Sequence, residues 1–111
     1  SQLPDRLRIF FDEGWIMQPE AERLLAKEQS RKVVLGLADE LKAVEEVTPE
    51  NYGSILSRLA KRVGLSGKNL YMPLRAALTG KTRGPELEKV FILLGKEKAL
   101  QRAESALQRT E

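Results

Sequence analysis

The chain has no cysteine and no histidine. The first absence excludes a disulfide scaffold and thiolate metal sites. The second removes the usual general base, the commonest zinc ligand and every Ser-His-Asp arrangement. No run of about 18 apolar residues exists, so nothing reads as a membrane-spanning helix. The opening, SQLPDRLRIFF, lacks the basic segment and apolar stretch of a signal peptide. It also lacks an initiator methionine, so the expectation is a processed product or a piece of something larger. Aromatics are few: one Trp, two Tyr and three Phe.

A further absence is local. No acidic residue lies between Glu50 and Glu86, while seven cations fall there: Arg58, Lys61, Arg62, Lys68, Arg75, Lys81 and Arg83. Residues 1–55 carry 7 basic and 11 acidic side chains; residues 56–111 carry 12 basic and 5 acidic. The overall charge of +3 hides this asymmetry. A one-sided field attracts polyanions. The plain alternative is a solvated face that happens to be basic.

What is present is helical periodicity. Val34, Leu37, Ala38 and Leu41 sit at i, i+3, i+4, i+7, and Tyr52, Ile55, Leu56, Leu59 and Val63 extend a stripe over three turns. Leu87, Val90, Phe91 and Leu94 repeat it, and no window alternates for long. The expected fold is all-α: a compact helical bundle or cage of six to seven short helices in one domain, 1–111. The expected spans are 3–13, 19–29, 31–46, 49–64, 70–79, 85–94 and 96–109. The predicted core holds Leu56, Leu59, Val63, Leu74, Leu78, Val90, Phe91 and Leu94. VFILL at 90–94 is apolar on most faces, which predicts a central helix. QPEA, TPEN and GPEL each offer proline for a first helical position with glutamate behind it. Thr48 is a good N-cap, Gly84 an acceptable one and Gln18 a poor one. Pro73 is expected to open or bend the helix ending at Gly80.

Catalytic constellations are lacking. Asp12-Glu13, Asp39-Glu40 and Glu45-Glu46 are adjacent on helices, point in different directions, and read as solvated surface. GLSGKN at 64–69 lacks the full phosphate-loop spacing and has no strand before it. It reads as a helix stop that presents Lys68. No catalytic residue and no metal ligand is assigned.

PLRAALTGKTRGPEL at 73–87 is more informative. It ends one helix, turns through Gly80-Lys81-Thr82-Arg83, and opens another at Pro85. That opening would expose the amides of Glu86, Leu87 and Glu88. Phosphate could sit there, but Glu86 and Glu88 would repel it. A nucleobase laid against Gly84-Pro85 suits the charge better, with Lys81 and Arg83 holding flanking phosphates. Trp15, Tyr52 and Tyr71 are possible stacking platforms, or simply packed side chains. Phe10, Phe11 and Phe91 read as core.

LYMPLRAALTG, RGPEL and ILLGKEKALQRAESAL, preceded by TPENYGSILSRLAKRVGL, closely resemble the C-terminal anticodon-binding domain of bacterial-type glutamyl-tRNA synthetases. The resemblance is clear over about residues 48–107. It implies a helical cage gripping the anticodon loop of tRNA-Glu, with Gly84, Pro85 and Leu87 against the first anticodon base. The candidate RNA-binding residues are thus Lys81, Thr82, Arg83, Gly84, Pro85 and Leu87, with Lys68 and Arg75. Gly84 stands where the family often has Ser or Thr. A hydroxyl contribution there would have to come from backbone instead.

The family's ATP-binding signatures, a His-x-Gly-His-type motif and a Lys-Met-Ser-Lys-like loop, have no counterpart here. The resemblance therefore implies a parent ligase that uses ATP and Mg in a separate Rossmann domain of the same chain. The 111 residues would be its cofactor-free, non-catalytic, tRNA-binding end, monomeric and cytoplasmic, with no membrane partner. An organelle would serve equally well. The competing reading is a helical protein-interaction module without RNA binding, its acidic first half docking on a partner.

Overall fold

The computed structural model describes residues 16–109, and five helices lie among them. They are α1 (Pro19–Leu25), α2 (Glu28–Lys42), α3 (Pro49–Val63), α4 (Lys68–Thr79) and α5 (Leu87–Arg109). No strand occurs among the described residues, as the periodicity predicts. Against the expected six to seven, the described residues form five. The expected helix 3–13, with Phe10 and Phe11, falls outside the described residues. The expected pair 85–94 and 96–109 is one element, bent where Gly95 leaves helical geometry at φ 80° and ψ 170°.

The boundaries follow local chemistry. Gln18 caps α1 without a side-chain bond, as its chemistry predicts, and Pro19 opens the helix. Lys27 takes extended backbone, so α1 stops at Leu25 and α2 starts at Glu28 rather than 31. α2 ends at Lys42, four residues short of expectation, because residues 43–48 turn to deliver the next cap. There Asn51 donates from Nδ2 to the Glu46 carbonyl at 2.8 Å. Thr48 and Asn51 then exchange reciprocal bonds: the Asn51 amide donates to Thr48 Oγ1 at 3.2 Å, and the Thr48 amide to Asn51 Oδ1 at 2.8 Å. Two amides that the helix cannot bond are thereby satisfied.

Pro73 neither opens nor closes α4. Gly67, at φ 58° and ψ −136°, starts the helix five residues before it, and Pro73 sits buried inside. Its cost is one missing amide, since a proline within a helix removes the bond to the carbonyl four residues back.

α2 is the hub: it packs against each of the other four helices. Val33, Leu37 and Leu41 on α2 meet Leu59 of α3, Leu74 of α4 and Phe91 of α5 in one core. α2 and α3 approach closely at Gly36, where an added Cβ would come within 2.8 Å of Leu59 Cδ1. Of the predicted core, Leu56, Leu59, Leu74, Leu78, Val90 and Phe91 are buried, while Val63 and Leu94 are half-buried against it. The centrality predicted for 90–94 is corrected, because Leu93 is 87 % exposed. A continuous apolar run on a helix does not specify which faces have partners.

Candidate nucleic-acid interface

The loop between α4 and α5 is fixed from several sides. α4 ends at Gly80, which takes the left-handed conformation at φ 74° and donates its amide to the Ala76 carbonyl at 2.9 Å. Its own carbonyl accepts from the Gln18 amide at 2.7 Å. A Cβ at Gly80 would collide with the Ile16 carbonyl, so glycine is required there by both torsion and space. Thr79 donates its hydroxyl to the Arg75 carbonyl at 2.8 Å and accepts the Lys81 amide at 3.1 Å. From α5, buried Arg102 donates to the Leu78 carbonyl at 2.8 Å, satisfying an acceptor at the helix end.

Beyond this anchor the chain lifts into solvent. Lys81, Arg83, Gly84 and Pro85 are exposed and Thr82 is half-buried. Gly84 has φ 155°. Half-buried Arg75 reaches across from α4 and donates Nη1 to the Pro85 carbonyl. Neither Pro85 nor Gly84 starts the helix, contrary to the sequence expectation. Glu86 does so: its carbonyl accepts the Val90 amide at 3.1 Å, and α5 begins at Leu87. Pro85 lies outside the helix, with its carbonyl accepting from Arg75. The free first-turn amides are therefore those of Leu87, Glu88 and Lys89, one residue later than expected. Leu87 is buried in the core beneath the turn.

Tyr52 and Tyr71 stand beside this loop. Tyr52 is half-buried, its ring 5.5 Å from that of Phe91 at 58°. Burial pushes its phenol up to about 12, and the negative charges of Glu88 and Glu86 and the nearby Tyr71 add to this, against Arg75. That shared field places Tyr52, Tyr71, Arg75, Glu86 and Glu88 in one neighbourhood. Tyr71, 45 % exposed and one turn before Arg75, is an accessible aromatic face beside the loop. Trp15 lies outside the described residues.

The seven cations of the acid-free window do not act as one field. Glu40 of α2 is only 4 % exposed, which corrects the solvated reading of Asp39-Glu40. Arg58 Nε donates to its Oε1 at 2.9 Å, and Arg62 to its Oε2 from Nε at 3.2 Å and Nη2 at 2.9 Å. Arg62 also pairs with Asp39 at 3.5 Å. Burial pushes the Glu40 carboxyl up, but the hydrogen bonds and charges of both arginines outweigh this and hold it below its usual range. The clue in the sequence was the Arg58–Arg62 spacing of four, which puts both on one face of α3. Lys81 and Arg83, by contrast, have no acid within ion-pair distance among the described residues. Lys68 is not brought to the loop, since it opens α4 about 17 Å along the helix from Thr79, at 1.5 Å per residue.

Among the described residues, no group of three or more acidic side chains is placed to hold a metal ion, and no helix is long and apolar enough to cross a membrane. The arrangement offers two exposed cations that have no acidic partner among the described residues, on a loop anchored at Gly80, with glycine, proline and an aromatic ring beside them.

The family model described as anticodon binding domain matches residues 1–107, which is further than the resemblance alone reached. The chain is 42 % identical over 102 residues to the glutamate–tRNA ligase of Carboxydothermus hydrogenoformans, covering 92 % of this chain and 21 % of that protein. It is 39 % identical over 105 residues to glutamate–tRNA ligase 1 of Caldicellulosiruptor saccharolyticus, covering 94 % and 22 %. It is also 39 % identical over 102 residues to the glutamate–tRNA ligase of Bacillus subtilis, covering 92 % and 21 %. The chain thus spans about a fifth of the length of these relatives. No solved structure matches it.

Proposed function

The chain belongs to the anticodon binding domain family, and from that premise we propose that it grips the anticodon loop of tRNA-Glu on behalf of a glutamate–tRNA ligase. The observation that carries the reading is the loop at 81–85. Its exposed cations have no acidic partner among the described residues, and its backbone is braced by Arg75 and Gly80. Lys81 and Arg83 hold phosphates, which sets position. Gly84 and Pro85 present a flat backbone surface to the first anticodon base, which sets specificity. Tyr71 supplies a stacking face next to them. Leu87 supports the surface from the core, and Arg75 fixes its height through the Pro85 carbonyl.

On the same reading the chain is one helical domain at the end of a monomeric ligase of the cytoplasm or an organelle. Glutamate is attached with ATP and Mg by a catalytic domain elsewhere in that ligase. No residue of this chain is assigned to either cofactor.

A tRNA-Glu transcript titrated across a range of salt concentrations tests the reading. Affinity should fall linearly in the logarithm of salt, with a slope of about −0.7 per single-strand phosphate neutralised. Affinity independent of salt rejects phosphate contacts, and with them the reading.

A further inference from the structure

The two helices that flank the loop each send an arginine to the other's end. Arg75 of α4 donates to the carbonyl of Pro85, just before α5. Arg102 of α5 donates Nη1 to the carbonyl of Leu78, in the last turn of α4, at 2.8 Å. Arg75 is half-buried, whereas Arg102 is only 7 % exposed. A buried guanidinium is costly to desolvate. Its surroundings at Leu78 offset part of that cost. The last-turn carbonyls of a helix lack amide partners within it and form the negative end of its dipole. α4 has no basic residue in its own last turn. Arg102 brings both a donor and a positive charge to that end from another helix.

Leu78 stands two residues before Gly80, where the loop leaves α4. In a helix that continued, the Leu78 carbonyl would accept from the amide of residue 82, four places on. Here it accepts from Arg102, and Thr82 lies in the loop. Arg102 belongs to the second half of α5, past the break at Gly95. Ala99, Ala103 and Ala106 are buried on the same half. The first half carries Leu87, Val90 and Phe91, buried at the far end of the loop. The two halves of α5 thus hold the loop at opposite ends.

We infer that Arg102 is a positioning residue for anticodon reading: its bond to the Leu78 carbonyl fixes the end of α4, and so the direction in which Lys81 to Pro85 leaves it. Arg102 makes no contact with RNA itself. The inference rests on the reading of that loop as the anticodon surface. Only six residues separate Leu78 from Gly84, so a shift at the first reaches the second. A recognition surface has to be held to within about 0.5 Å by groups that are themselves locked in place. The second half of α5, remote from the loop in sequence, thereby becomes part of the recognition apparatus.

Two readouts test this together: amide chemical shifts of the whole chain without RNA, and the ratio of affinities for a tRNA-Glu transcript and for the same transcript changed at its first anticodon base. Arg102→Met keeps an unbranched apolar stem and loses the charge and the donors. Arg102→Lys keeps the charge and a point donor. Gly36→Ala disturbs the α2–α3 contact at Leu59 instead. Arg102→Met should shift the amides of Gly80 to Gly84 and lower the ratio by about 2- to 30-fold. Arg102→Lys should fall between it and the parent in both readouts. Gly36→Ala should lower the melting temperature while leaving the loop amides and the ratio unchanged, which separates positioning from a general loss of stability. If the methionine variant does not fold, the lysine variant decides: it has to move Gly80 to Gly84 and lower the ratio. Loop amides that stay in place, or a ratio that survives both substitutions in folded protein, would overturn the inference and leave the anticodon reading standing. A parent that does not discriminate between the two transcripts would overturn the reading, and the inference with it.

Discussion

Arg75 Nη1 and the carbonyl of Pro85 are joined across ten residues of sequence, and this bond ties the exposed loop to the face of α4. Pro85 lies outside the helix, and Gly84 beside it is exposed at φ 155°. On the proposed reading, the cations of the loop hold phosphates without also having to order the backbone.

Arg75→Lys should therefore weaken tRNA binding although it preserves charge. A lysine offers a point charge, not a planar fork of donors. Losing a partly exposed charge-assisted bond should cost about 1 kcal/mol of stability. Binding of matched and anticodon-altered tRNA, compared before and after the change, should show the discrimination falling more than the melting temperature suggests. Full discrimination in the lysine variant would mean that the bond does not set the loop.

Gly80 and Gly64 both take the left-handed conformation, yet they should respond differently to alanine. At Gly64 an added Cβ meets nothing within 4 Å, so Gly64→Ala should cost about 1 kcal/mol, the torsional penalty alone. At Gly80 the same Cβ meets the Ile16 carbonyl, and the segment bonded there through Gln18 has to shift. Gly80→Ala should be the costlier by about 1–3 kcal/mol. Denaturant unfolding of the two variants in parallel gives the comparison; equal losses would show that Gly80 does not clamp residues 16–18.

Much of this was legible in the sequence, for identifiable reasons. Thr48 and Pro49 predict the start of α3 because capping is local, although the reciprocal bond from Asn51 emerged only in the structure. Gly80 predicts the end of α4 for the same local reason. The partners of Arg58 and Arg62 were not legible: Glu40 lies on another helix, and charge counting along the chain cannot see it. Nor was the direction of Leu93, since five consecutive apolar residues leave the buried face undetermined. Pro85 misled because the grammar shared with Pro19 and Pro49 is local and does not see the contact that Arg75, ten residues earlier, makes with its carbonyl.

Glu40 predicts the acid limb of the stability curve. Its carboxyl is held below 4.5 when folded, so its contribution is complete above that value and is lost as pH falls through the folded one. Glu40→Gln should flatten this limb. It should cost about 1–2 kcal/mol at pH 7, less than a fully buried pair would, since Arg58 and Arg62 remain about half exposed and can turn to water. An acid limb as steep in the glutamine variant as in the parent would contradict the assignment.

Tyr52 sets the alkaline limb. Its neutral form is favoured in the fold, so its contribution is present below about 10 and lost as pH rises towards about 12. Phenolate absorbance should show one transition near 12 that disappears in Tyr52→Phe. A spectrum in which Tyr52→Phe removes no transition near 12 would place Tyr52 in solvent.

The central claim is that the 81–85 loop reads an anticodon, and the ratio of affinities for tRNA-Glu and for the same tRNA changed at its first anticodon base measures it most directly. Neutralising Lys81 and Arg83 together should weaken both tRNAs equally and leave the ratio intact, because phosphate contacts carry no sequence information. Gly84→Trp should lower the ratio, measured against Gly84→Ala, which carries the same backbone strain at φ 155° without the bulk. A ratio unchanged by tryptophan in a protein that stays folded and still binds tRNA would contradict the account and leave the loop a connector.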